Sequence, residues 1–401
     1  MATTLVSKAA FTDRIGRIMP SSTLEMVEAA AKLRAQGADI LDLGAGEPHF
    51  TTPRHIKDAG IRAIEENFTK YTPVAGVPDL RRAIAERHRK DWESDYAPEE
   101  AMTTPGGKFA LFLALQTLVQ KGDEVIVPLP YWVSFPDMVR YTGATLVPVQ
   151  TDEQDGFRLS ARAVIDAITD RTRAIIINSP CNPSGAVIPA DEYEKIVMAA
   201  HERGIYVIND ECYVYLNYGP AKDRISAGRF VAAREHLVMI GSLSKTYAMT
   251  GWRSGFALAP RDVIRQMAKL QSQSTSSICA ITQKGALAAL TGPQECITEF
   301  RNGYLGLRDR CVKALSDIPQ IHCNVPSGAF YAYPNVGAYL GKRGLRSTTE
   351  MCNLLLREAH VVTNPGDSFG TPENIRISYA VKPEILDSAL ARMKTWFEQQ
   401  L

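Results

Sequence analysis

The stretch HLVMIGSLSKTYAMTGWRSGFAL, His236 to Leu258, reads as two short apolar runs of strand character, His236–Ile240 and Ser254–Leu258, around a polar turn. The turn carries one lysine, Lys245, among hydroxyls and small side chains, with no acidic residue near it in sequence. Eight residues on stands one arginine, Arg253. A lysine in so weakly charged a setting is ordinarily just an exposed one. Buried beside another cation, its pKa falls and its amine becomes a usable nucleophile.

The same alternation repeats outward from this stretch. Further apolar, β-branched runs lie at Glu124–Val127, Thr145–Val149, Ala174–Asn178 and Ile205–Asn209. Between them Phe109, Phe112, Leu115 and Leu118, and again Tyr193, Ile196, Val197 and Ala200, recur at helical spacing. Strands alternating with helices predict an α/β fold with a mostly parallel sheet covered on both faces. Ligands of such sheets collect beyond the carboxyl ends of the strands. The chain ends read differently. A helix spans residues 21–36, with Ser21 or Ser22 as its cap and Leu24, Val27, Ala31 and Leu33 on one side. After residue 292 come a long helix, short strands, a helix from Thr348 to Glu358, a strand Ile375–Tyr379 and a final helix. This predicts a large domain over residues 48–291 and a smaller α+β domain made from both ends, 1–47 and 292–401.

Composition bounds the function. The 401 residues exceed one ordinary core, and 45% hydrophobic with 22% charged residues is ordinary globular usage. A formal net charge of +1 offers no basic field for nucleic acid. Seven scattered cysteines contain no C-x-x-C pair, which argues against a zinc site or a disulfide framework and fits a reducing cytoplasm. The first twenty residues lack the apolar core of a signal peptide, and no apolar run reaches membrane-spanning length. The expectation is a cytoplasmic protein with small-molecule partners, or another copy of itself, and no metal.

Polar residues follow several strands: Thr103–Lys108 before an apolar helix, Asn178–Gly185, Asn209–Tyr213, and Gly241–Lys245. Each alone has an ordinary reading. Gly106-Gly107 is a loop-to-helix turn, Asp210 a cap or ion-pair partner, Asn182-Pro183 a turn, and Tyr213 packing. Together they meet the requirements of pyridoxal 5′-phosphate. A lysine amine condenses with an aldehyde as a Schiff base. An aspartate keeps a pyridine nitrogen protonated. A tyrosine and an asparagine bond the ring oxygen. A helix N-terminus, hydroxyls and the fork of Arg253 hold a phosphate. Trp132, in Pro130-Tyr131-Trp132, has the flat face to stack on the ring.

With these motifs, and with Lys70–Gly76, Gly251–Gly255 and Asn182–Gly185 in the same order and spacing, the chain resembles the fold-type-I pyridoxal-phosphate enzymes. Within them it is similar to the class I aminotransferases of the bacterial aspartate aminotransferase-like branch. The resemblance runs from Leu43-Gly44-Ala45-Gly46-Glu47-Pro48 to Ile375–Tyr379. It implies a large domain whose mostly parallel seven-stranded sheet is sandwiched by helices, plus a smaller α+β domain. It implies Lys245 as the Schiff-base lysine and proton carrier, Asp210 on the ring nitrogen, and Tyr213 and Asn182 on the ring oxygen. Trp132 would stack on the ring, and Gly107, Lys108, Ser242 and Arg253 would surround the phosphate. Tyr71 would reach the phosphate of the neighbouring subunit, making the active unit a homodimer. Arg376 would grip the substrate α-carboxylate, with Asn182 and Trp132 beside it and Gly46 closing over it.

The reaction so implied is a ping-pong exchange of an amino group between an L-amino acid and a 2-oxo acid, best read as aspartate and 2-oxoglutarate. Departures from the branch are Cys181, Cys212, Lys108 and Met19. Lys108 favours an acidic side chain in the substrate. Met19 stands where some prephenate-using relatives carry a basic residue. Rival readings on the same fold are an aromatic, alanine or kynurenine aminotransferase or a carbon–sulfur β-lyase. A cofactor-binding regulator on this fold would carry an added helix-turn-helix domain, and the segment ahead of the region of resemblance is too short for one.

Overall fold

The computed structural model describes residues 11–19 and 22–401. Strand β1 (Leu41–Asp42) belongs to a small sheet. Strands β2 (Ala101–Thr104), β3 (Glu124–Pro128), β4 (Thr145–Val149), β5 (Thr172–Asn178), β6 (Tyr206–Asp210), β7 (Leu237–Ser242) and β8 (Gly255–Leu258) form a seven-stranded sheet in the order β2-β8-β7-β6-β5-β3-β4. The central strands are apolar on both faces. Ile175, Ile177, Val207, Leu237 and Met239 pack into one buried cluster, and Ala174, Ile176, Ile208, Val238 and Ile240 into another. Period-two alternation between two apolar faces marks a sheet with a helical layer on each side. The edge strand β4 is half exposed and holds Pro148, which an edge tolerates because one row of N–H groups faces outward.

The sheet is parallel except at β8, which runs against both β7 and β2. The reason is local. Between β7 and β8 the chain forms only the four-residue helix Leu243–Thr246, not the longer crossover that a parallel return needs. The seventh strand, β2, is one that the apolar runs did not single out. It is four residues long and wedged between Glu99-Glu100 and Pro105.

The remaining strands are β9 (Tyr331–Ala332), β10 (Val361–Val362), β11 (Asn364–Pro365) and β12 (Ile375–Ser378). β1 pairs in parallel with β10, and β11, β12 and β9 make a three-stranded sheet. A separate cluster, including Met26, Leu43, Tyr304, Phe330, Trp396 and Phe397, unites the two ends of the chain. The N-terminal helix is Ser22–Ala35, so Ser22 opens it, and Ser21 lies outside the described residues. The helix from Thr348 is regular to Leu354 and closes with a wider turn over Leu355–Ala359. Among the described residues no helix is long and apolar enough to cross a membrane.

Candidate active site

Register brings the polar residues to one rim. Asn178 ends β5 opposite Asp210, which ends β6, and Ser242 ends β7 opposite Gly255. Beyond this rim lies a cavity of about 1090 Å³. It is lined by Gly46, Gly107, Lys108, Trp132, Asn182, Asp210, Tyr213, Ser242, Lys245, Arg253 and Arg376. Of the candidate cofactor- and substrate-binding residues named from the sequence, Tyr71 stands away from it, with 96% of its surface exposed.

Lys245 sits in the short helix capped by Ser242, whose Oγ accepts the Ser244 N–H at 3.2 Å. Its Nζ donates to the Gly46 carbonyl and lies 5.9 Å from the Phe330 ring centre. Burial pulls its pKa down, and the charges of Arg376 and Arg253 act the same way against Cys212 and Glu47. A neutral amine is the nucleophilic form. Across from it burial pushes the Asp210 carboxyl up to about 7. The Cys212 N–H, donated to Asp210 Oδ1 at 3.1 Å, opposes that shift, while the charge of Glu211 adds to it. A buried carboxylate with so few donors is short of a cationic or N–H partner. Burial also drives the thiol of Cys212, on the cavity wall, up to about 12.

A second group of residues forms an anion cradle. The helix Gly107–Leu118 begins its backbone bonds with Phe109 N–H to Gly106 C=O at 3.2 Å, so the N–H groups of Gly107 and Lys108 precede the ladder. Arg253 flanks them, donating to the carbonyls of Thr250 (2.9 Å) and Pro105 (3.5 Å). Gly255 of β8 stands so close behind that a Cβ there would run into the backbone of Gly106 and Gly107. Lys108 is exposed, yet its Nζ lies 4.9 Å from the centre of the Trp132 ring, a cation–π contact, and partial desolvation there and the charge of Arg253 lower its pKa. Trp132 is itself braced edge-on by Phe135 at 5.5 Å.

Arg376, on β12, also lines the cavity and is buried. Its Nη1 donates to Asn182 Oδ1 at 3.0 Å and its Nη2 to the Gly44 carbonyl at 2.7 Å. Its Nε is buried without a partner. The guanidinium lies over the rings of Tyr331 (4.5 Å) and Phe369 (5.1 Å). Tyr331 is a cavity residue that the sequence did not point to, and Asn178, noted there only as the start of a polar stretch, joins it. The hydroxyls of Tyr331 and Tyr213 are 2.7 Å apart, and Asn178 accepts the Asn182 N–H at 2.7 Å through Oδ1 while its Nδ2 bonds the Asp210 carbonyl at 3.0 Å. Tyr331 gave little signal because β9 is only two residues long. Asn178 was visible as the polar end of an isoleucine run.

These groups fit pyridoxal 5′-phosphate: a shielded amine, an under-donated carboxyl, an aromatic face, and a cradle of N–H groups with a guanidinium. Such a set defines an enzyme that handles amino groups through that cofactor. The sequence model of the family described as aminotransferase class I and II matches residues 38–393. An aspartate/prephenate aminotransferase of Aquifex aeolicus, described as probable, is 41% identical over 388 residues, covering 96% of this chain and 98% of its own. The aspartate aminotransferase of Geobacillus stearothermophilus is 40% identical over 385 residues, with 96% and 98% covered. Among solved structures, the aspartate aminotransferase from Thermus thermophilus with maleate superposes with a TM-score of 0.91 at 39% identity, covering 97% of this chain and all of that one. That of Rhizobium meliloti reaches 0.93 at 35%, covering 98% and 100%. The chain belongs to the class I and II aminotransferase family: it is a pyridoxal-phosphate-dependent transaminase, acting on an amino acid and a 2-oxo acid.

Proposed function

We propose that this enzyme takes an acidic donor, aspartate, and returns the amino group to 2-oxoglutarate in a ping-pong cycle. The observation that carries the proposal is Arg376, a buried guanidinium with an unpartnered Nε, sharing one cavity with a second cation, the exposed Lys108. Two cations lining one cavity suit a substrate with two carboxylates. The Thermus relative, whose structure holds the dicarboxylate maleate, supports this choice.

In this reading Arg376 and Asn182 hold the α-carboxylate, and Lys108 draws the side-chain carboxylate towards Trp132. Gly46 closes over the substrate. The backbone N–H groups of Gly107 and Lys108, with Ser242 and Arg253, hold the cofactor phosphate, and Tyr213 and Asn182 bond its ring oxygen. The bound cofactor supplies an electron sink for the pair released at the substrate α-carbon. Asp210 holds a proton on the ring nitrogen, which keeps that sink effective. Lys245 Nζ carries the proton between the α-carbon and the cofactor C4′, and its lowered pKa suits that exchange. Met19, exposed at the cavity rim, offers a thioether and no charge, which disfavours prephenate.

A second copy of the chain completes the site, with Tyr71 reaching the neighbouring phosphate. The near-full exposure of Tyr71 supports this assignment. The same proposal divides the chain into a large domain, 48–291, and a small one from 1–47 and 292–401. The apolar cluster that unites the chain ends supports that division.

Titrating the holoenzyme with single amino acids, in the absence of any oxo acid, tests the substrate. Aspartate and glutamate are expected to discharge the visible absorbance of the bound cofactor at low concentration. Discharge by aromatic or other neutral donors and not by acidic ones would sink the aspartate assignment.

A further inference from the structure

Glu211 follows Asp210 directly, yet its side chain does not line the cavity. Its carboxylate is buried and engaged at both oxygens. Oε1 accepts from Ser226 Oγ at 2.6 Å and from Ala227 N–H at 3.2 Å, and Oε2 lies 3.1 Å from His88 Nε2. His88 comes from the helix Pro78–Trp92, and its other nitrogen, Nδ1, is 2.7 Å from Ser94 Oγ. With the carboxylate taking the Nε2 proton, Nδ1 accepts from the Ser94 hydroxyl. Gly228 seals the cluster. Its N–H donates to Ser226 Oγ at 2.9 Å, and a Cβ there would meet His88 Cε1 at 2.7 Å. Glu211, His88, Ser94 and Ser226 are each buried.

Burying a carboxylate is costly, and removing one member of such a network strands the others. The backbone shows what the network holds. Glu211 N–H donates to the Ile240 carbonyl of β7 at 2.9 Å, Val214 N–H returns to the Glu211 carbonyl at 3.1 Å, and Leu216 N–H bonds the Tyr213 carbonyl at 2.8 Å. Asp210 and Tyr213 are the two ends of this turn, and Glu211 ties it to a helix and a second turn that belong to the body of the molecule.

We propose that Glu211 is a positioning residue for the reaction. With His88 and Ser226 it clamps the Asp210–Tyr213 turn from behind, so that both side chains keep their places around the cofactor ring. The inference rests on the roles proposed above for Asp210 and Tyr213.

The test compares Glu211→Ala, Glu211→Gln and Ser226→Ala, with Asp210→Asn as reference. It reads the dissociation constant of pyridoxal 5′-phosphate, the visible circular dichroism of the bound cofactor, and kcat and KM separately. It also reads the thermal midpoint of the cofactor-free protein. Glu211→Ala is expected to weaken cofactor binding about tenfold or more and to diminish the dichroism, as befits the loss of a buried hydrogen-bonded charge. kcat falls by a similar factor, while KM for aspartate stays within about threefold. Glu211→Gln restores most of the binding, because its carbonyl serves Ser226 and Ala227 and its amide donates to the other tautomer of His88. If Glu211→Ala does not fold, Ser226→Ala decides: binding about two- to fivefold weaker supports the clamp, and wild-type binding overturns it. A lower thermal midpoint with wild-type binding and dichroism in Glu211→Ala, while Asp210→Asn loses both, would overturn the clamp alone. Wild-type binding and dichroism in Asp210→Asn as well would overturn the reading of the site itself.

Discussion

Asp210 shows how one residue's setting sets its chemistry. Its carboxyl titrates at about 7 against an ordinary 3.8, because burial disfavours the charge. The sign of the consequence is definite. A raised pKa means that the folded protein binds the proton more tightly than the unfolded chain, so the stabilisation is whole below about pH 4 and is lost as the pH climbs through about 7. The cofactor-free protein should therefore lose stability across that window. Asp210→Asn, with no proton to release, should lose distinctly less. Urea midpoints measured from about pH 4 to 8 check this; parallel curves for the two proteins would exclude it. The same carboxyl, once ionised, is the partner that a protonated ring nitrogen needs, so the instability and the function have one origin.

At the scale of elements, the cradle depends on β8 pressing against the start of the helix Gly107–Leu118. Gly255→Ala puts a methyl group into the backbone of Gly106 and Gly107, where no flexible side chain can give way. Overpacking of this kind costs typically about 1–3 kcal/mol. We expect a loss of that order in thermal or urea unfolding, together with weaker cofactor binding, because the displaced groups are the N–H donors. A variant of full stability and affinity would contradict this account. β8 also marks where sequence reasoning stopped. Its apolar run was legible, as were five other strands and the polar residues at their ends, because strands of a covered sheet write short runs of apolar side chains. Its antiparallel direction was not, since direction depends on the length and shape of the Leu243–Ser254 connection. β2 escaped notice because Thr103 and Thr104 cut its apolar run to two residues, and β9 because it is only two residues long. The glutamate clamp escaped for another reason: His88 and Glu211 are 123 residues apart, and only the fold brings them together.

At the scale of the whole molecule, residues from two separate sheets line one cavity. The large sheet presents Lys245, Asp210 and the anion cradle, while β12, packed with the two chain ends, presents Arg376. What one copy does not hold near its cavity is Tyr71, which projects outward from the loop after Lys70. That loop is pinned: Gln283 Nε2 donates to Thr72 Oγ1 at 2.7 Å, and Gln271 Nε2 to the Val74 carbonyl at 2.8 Å. A braced loop with an exposed tyrosine at its tip is suited to serve a neighbouring copy. In the proposed function, amino transfer is done by Lys245 in a cavity completed by a second copy. Mixed dimers of Lys245→Ala and Tyr71→Ala test it most directly. Lys245→Ala alone should be inactive, and Tyr71→Ala alone should hold its cofactor poorly. Refolding the two together should restore the activity of one intact site in each mixed dimer, because Lys245 of one copy then meets Tyr71 of the other. Full activity of Lys245→Ala alone, or no recovery in a mixture shown to contain mixed dimers, would contradict the account.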